Sequence, residues 1–124
     1  MNREFLFRGK CPDNSGWVYG DLQIGESNVI IATKGRHILY YIQPDTVGRY
    51  IGLKDNKGNK IFEGDILYHD GKYFGVVMWH PDGYFFINDR KDPQEVSIND
   101  SFCPIGRMLR TYDFTVCGNI FDNP

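Results

Sequence analysis

A chain of 124 residues can bury roughly two thirds of its unfolded surface and needs no disulfide or metal to fold. Its 14 basic and 16 acidic side chains are interspersed and leave a net charge of −2, so there is no electrostatic footprint for DNA, RNA or an anionic membrane. Cys11, Cys103 and Cys117 are odd in number and far apart, which argues against a secreted disulfide framework and for a reducing cytoplasm.

The opening MNREFLFRGK lacks the apolar stretch of an export signal, and no run of 18 apolar residues occurs, so neither export nor a membrane span is expected. Nine Phe, eight Tyr and two Trp, with 14 Gly and many β-branched residues, favour strands and tight turns over helices. Helical periodicity is interrupted by Gly or Pro wherever it starts, whereas alternation with period two recurs.

In chain order, Phe5–Phe7 predicts a short strand and Cys11–Gly16 a loop rich in turn formers. Trp17–Leu22 predicts a second strand. Asn28–Thr33 and His37–Ile42 predict a third and fourth, joined as a hairpin by Lys34-Gly35-Arg36. The apolar runs Val29-Ile30-Ile31 and Ile38–Ile42 imply burial on both faces or an edge covered by a partner chain. Thr46–Leu53 predicts a fifth strand, with Gly48 and Gly52 on one face where the backbone bends or approaches closely.

Lys54–Lys60 is a polar loop, after which Ile61 and Phe62 return to the core and Glu63-Gly64-Asp65 turns into the strand Ile66–His69. Asp70-Gly71 suits a two-residue type I′ hairpin into Lys72–His80, and Pro81-Asp82-Gly83 turns into Tyr84–Asn88. Residues 92–100 read as one helical turn or an irregular crossover. Ile105, Met108 and Leu109 are spaced for a short helix, and Phe114–Phe121 closes the chain as a strand kinked at Gly118-Asn119.

The run Pro44–Tyr50, then Gly52–Asp55, Gly58, Ile61 and Glu63–Ile66, resembles the central segment of the YopX family of phage and prophage proteins. Phe74–Trp79, Gly118–Pro124, Arg3–Phe5 and Trp17–Leu22 are similar to other segments of that family, in the same order. The resemblance implies an all-β fold: a small SH3-like barrel with additional N-terminal antiparallel strands and little helix. It makes residues 1–124 a single domain, with N-terminal strands over 1–43 and the barrel portion over 44–124. It also implies a phage or prophage accessory protein in the cytoplasm of a bacterial host, and it carries no catalytic residues.

The residues themselves weigh against catalysis. Glu63 and Asp65 could bind a divalent metal or act as an acid/base pair, but Gly64 between them fits a tight turn, with Asp65 accepting backbone N–H groups. Three histidines (His37, His69, His80) and three dispersed cysteines give no zinc-ligand spacing, and no nucleophile elbow or phosphate-cradling loop occurs. No catalytic, cofactor or metal site is therefore expected.

Aromatic residues remain. Tyr73, Trp79, Tyr84 and Phe86 crowd two adjacent strands and are the expected interaction surface, although most rings in so small a domain must fill its core. Nucleic acid is the alternative ligand. Stacking on single strands requires a basic groove, and residues 45–92 hold seven Lys or Arg against eight Asp or Glu. The expected function is a non-catalytic module that binds another protein or itself.

Overall fold

The computed structural model describes residues 5–13, 15–35, 38–89 and 103–122. The expected crossover over 92–100, the first residues of the 101–111 segment and His37 lie outside them. The chain divides into two units, 1–52 and 53–124.

The first unit is built on β1 (Phe7–Lys10), β2 (Trp17–Ile24), β3 (Val29–Thr33), β4 (Leu39–Tyr41) and β5 (Gly48–Lys54), with a 3-10 turn at Pro44–Thr46. Strands β1 to β4 form an antiparallel meander, and β5 pairs with β1 through Phe7 opposite Arg49 and Arg8 opposite Gly48. β5 runs on to Lys54, and β6 (Lys60–Phe62) ends the six-stranded order β4-β3-β2-β1-β5-β6.

Alternation sets the faces of this sheet. Val18 and Ile31 point to one side, where they cluster with Ile42 and are flanked by Phe7, Cys11, Leu22, Val29 and Val47. Gly9 lies on the same side directly under Ile42, where any Cβ would collide with the isoleucine. The first strand therefore begins at Phe7 and continues through Arg-Gly-Lys, past the Phe5–Phe7 that alternation alone predicts. On the other face the Arg8 guanidinium lies 4.6 Å from the Trp17 ring centroid, and the Lys10 ammonium 5.8 Å from it. Aromatic stacking gives these two cations a place in a strand.

In the second unit β7 (Asp65–His69), β8 (Lys72–His80) and β9 (Tyr84–Asn88) form the expected meander. The β7–β8 turn has Asp70 at φ 50° and Gly71 at φ 74°, the two left-handed residues of a type I′ hairpin. The short helix α1 (Ile105–Thr111) buries Ile105, and β10 (Thr115–Asn119) returns beside β7 with an irregularity between Val116 and Asn119. The sheet order is β10-β7-β8-β9.

The described residues thus form two open antiparallel sheets and one α-helix, an all-β fold without a closed barrel. Among the described residues, pairing beyond β9 amounts to a single bridge. Pro104 makes one isolated bridge to Phe86, has no N–H with which to extend it, and leads directly into α1.

Asp55 ties the second unit together. Its Oδ1 accepts the N–H groups of Lys57 (2.9 Å) and Asn59 (2.8 Å), and its Oδ2 accepts the Val116 N–H (2.9 Å) and the Asn59 side-chain amide (3.1 Å). Burial works to raise its pKa, but hydrogen bonds from Val116, Asn59 and Lys57 outweigh it and hold the carboxyl below its ordinary value. A carboxyl lowered on folding contributes stability that is complete above its unfolded pKa and lost as pH falls through the folded one. Asp55→Asn should therefore cost roughly 1–3 kcal/mol near neutral pH. Urea denaturation of both proteins should show the difference shrinking as pH falls from about 5 to about 3; a constant difference would contradict the network's role.

Candidate interaction surface

A strand at the end of a sheet presents unpaired backbone N–H and C=O groups, which a folded protein covers, distorts or uses for pairing. Three of the four terminal strands here are covered. β10 is met by the Asp55 loop, with Val116 donating to the Asp55 carboxylate and Asn56 donating to the Phe114 carbonyl at 3.0 Å. β9 is met by Pro104 and α1. β6 is only three residues long, and its Phe62 N–H donates to Asp65 Oδ2 at 2.7 Å.

β4 differs. Among the described residues nothing pairs with it beyond β3, and it carries no proline, charge or bulge. Its outward direction follows from the ladder. Thr33 donates to the Ile38 carbonyl (2.9 Å) and Ile42 donates to the Val29 carbonyl (3.0 Å). Residues 38, 40 and 42 therefore turn their backbone groups toward β3, and Leu39 and Tyr41 turn theirs away. The side chains are open as well: Leu39 is 59% exposed and Tyr41 63%. Tyr41 stands opposite Ile30, and Leu39 opposite Ala32, so the two share one face of the sheet with an apolar neighbour each. The sequence signal was the uncharged run Ile38–Ile42, whose two readings, double burial or a covered edge, only the strand order separates.

The four aromatic residues expected to form a surface do not come together. Phe86 is 1% exposed and belongs to the core, which corrects its expected place on an interaction surface. It faces inward because it pairs with Met78 on the covered side of β9, where its ring meets His80 edge-on at 5.5 Å. Tyr84 is half-buried and stacks on His80 at 4.6 Å with the planes 8° apart. Tyr73 and Trp79 are exposed but stand six positions apart on β8, about 20 Å at strand rise. Each already has a ring beside it: Tyr68 at 6.2 Å for Tyr73, Phe85 at 4.9 Å for Trp79.

Gly64 adopts φ 91°, and its N–H and C=O bond Val77 and Ile120, while the Asp65 carboxylate holds Phe62. Gly48 is buried opposite Arg8, Gly52 adopts φ 88°, and Glu63 is half-buried.

The two remaining histidines are also built in. His80 is buried, and its Nδ1 accepts the Asp82 N–H at 3.0 Å, bracing the turn between β8 and β9. His69 donates from Nδ1 to the Asp113 carbonyl (2.8 Å) and packs against Tyr112 and Phe114. Among the described residues no three His, Cys, Asp or Glu side chains converge as a metal site. A shallow groove of about 370 Å³ runs between Lys57, Tyr68, Asp70, Asp113, Thr115 and Cys117, and it mixes both charges without a buried polar group aimed into it.

Among the described residues this is an all-β protein with one uncovered strand edge, that of β4. The family model described as YopX protein matches residues 6–124, so the chain belongs to the YopX family. No curated protein matches it. No helix among the described residues is long and apolar enough to cross a membrane.

Placement of the rings predicts unequal costs on truncation. Phe86→Ala should destabilise the protein by about 3–5 kcal/mol, as expected for a fully packed ring. Trp79→Ala should cost roughly 1–2 kcal/mol, because half of its surface is already in water. Urea unfolding of the two variants measures the contrast, and equal losses would mean that Trp79 is a core residue.

Proposed function

We propose that this chain is a non-catalytic protein-interaction module whose docking element is the free edge of β4. One observation carries the reading: of the terminal strands, only β4 leaves its outward backbone groups and apolar side chains uncovered among the described residues. An extended segment added there would gain main-chain hydrogen bonds at Leu39 and Tyr41 for affinity and side-chain contacts with Leu39, Tyr41 and Ile30 for selectivity.

The family supports a phage or prophage origin, and the free state of Cys11, Cys103 and Cys117 suits the cytoplasm of a bacterial host. The second unit supports kinship with small SH3-like barrels through one feature. Its last strand, β10, returns to the first strand of the meander, as closure of such a barrel requires. Nucleic acid is the weaker ligand class, since Arg8 and Lys10 are already turned onto Trp17, and Arg49 onto Phe5.

A photo-crosslinking amino acid placed at position 41 tests the proposal in the cells that produce the protein. A protein adduct should form from position 41 and not from position 112, another exposed tyrosine, on the second unit. Equal labelling from both positions, or none from position 41, would remove the support for a docking edge.

A further inference from the structure

We infer that His69 is a proton-operated latch, which draws the Asp70 carboxylate onto its ring in acid and releases it to water once the ring is neutral. The geometry that carries this is an oxygen beside each ring nitrogen. Nδ1 lies 2.8 Å from the Asp113 carbonyl, and Nε2 lies 3.3 Å from Asp70 Oδ2. A carbonyl oxygen only accepts, so Nδ1 keeps its hydrogen whether the ring is charged or neutral. Nε2 carries a hydrogen as well only in the imidazolium, which donates to both oxygens at once. In the neutral ring the Nε2 lone pair faces a carboxylate oxygen, and attraction gives way to repulsion.

The ring is the anchored partner and the carboxylate the moving one. Tyr112, Phe114 and Phe74 stand around the imidazole, their ring centres 5.4, 5.7 and 6.5 Å from its own. The His69 side chain is 29% exposed, against 86% for Asp70. The Asp70 backbone is held at φ 50° in the hairpin turn, so release is a rotation of its side chain alone. Among the described residues, the other charged or titratable groups on neighbouring elements are Lys72, Tyr112 and Asp113. Lys72 is the cross-strand partner of His69, and its exposure lets water screen its repulsion of the imidazolium. Histidine is the one residue type among these that ordinarily changes charge between pH 5 and 8.

Asp70 and Asp113 also line the groove of about 370 Å³, with Lys57 among its other walls. The rim of that groove therefore gains negative charge when the latch opens, and the Asp70 side chain is free to turn into it. The sign for stability follows: the contact contributes while His69 is charged, and its contribution is lost as pH rises and the ring becomes neutral. Exposed ion pairs are weak, so the latch is readily reversible.

Two measurements on the whole chain test the latch. Long-range proton–nitrogen NMR of the His69 ring at pH 8 should find its hydrogen on Nδ1. Asp70→Asn removes the charge and keeps a residue type that tolerates positive φ. Followed by urea unfolding, it should weaken the folding equilibrium about two- to fivefold at pH 5 and not weaken it at pH 8. A hydrogen on Nε2 at pH 8 would overturn the inference, because the neutral ring could then donate to Asp70 without a second proton. An equal loss at both pH values, or no loss at pH 5, would overturn it as well. The NMR readout needs no variant, so it stands whatever the substitution does to folding.

Discussion

The constraint that organises this molecule is the hydrogen-bonding demand of strand edges. Open sheets expose a row of backbone donors and acceptors wherever they end, and leaving such a row buried and unmet costs free energy. The chain meets the demand with two carboxylates: Asp55, between loop and β10, and Asp65, between β6 and β7. Pro104 and the helix behind it do the same for β9 by a different means. Asp65, which the sequence offers with Glu63 as an acidic pair, holds the Phe62 N–H in this way.

What the sequence discloses and what it conceals divide along the same line. Strand positions with local turn chemistry were legible. Asp70-Gly71 and Pro81-Asp82-Gly83 bracket Lys72–His80 and Tyr84–Asn88, which the structure reproduces residue for residue. The short helix at Ile105–Thr111 was legible from three apolar spacings. Strand order was not, because nothing local says that β5 lies beside β1 or that β10 returns to β7. Barrel closure was expected from the family resemblance, and the described residues form open sheets instead. Beside Phe86 the bridging residue is Pro104, which has no donor for a further rung.

The candidate site shows the same limit. Rings in sequence mark packing as readily as recognition, and alternation cannot tell which face of a sheet is covered. Phe86 and Trp79 lie seven residues apart and look alike, yet one is core and the other half in water. The decisive residues are duller. Leu39 and Tyr41 stand out only once the β3–β4 ladder shows which way their backbone points. A shift of one position would turn Tyr40 outward and bury the other two, so the parity of the hairpin, set by the turn after Thr33, decides the chemistry of the edge.

The shortness of β4 then acquires a physical reason. A long, flat, apolar edge invites open-ended stacking, and proteins that keep one are prone to aggregate. Three residues give enough exchange for one antiparallel partner and too little for a sliding register. Growth at β6, β9 or β10 would first have to displace Asp65, Pro104 or Asp55 from its backbone partner. The covers on the other edges therefore leave β4 as the place, among the described residues, where an added strand meets no competitor.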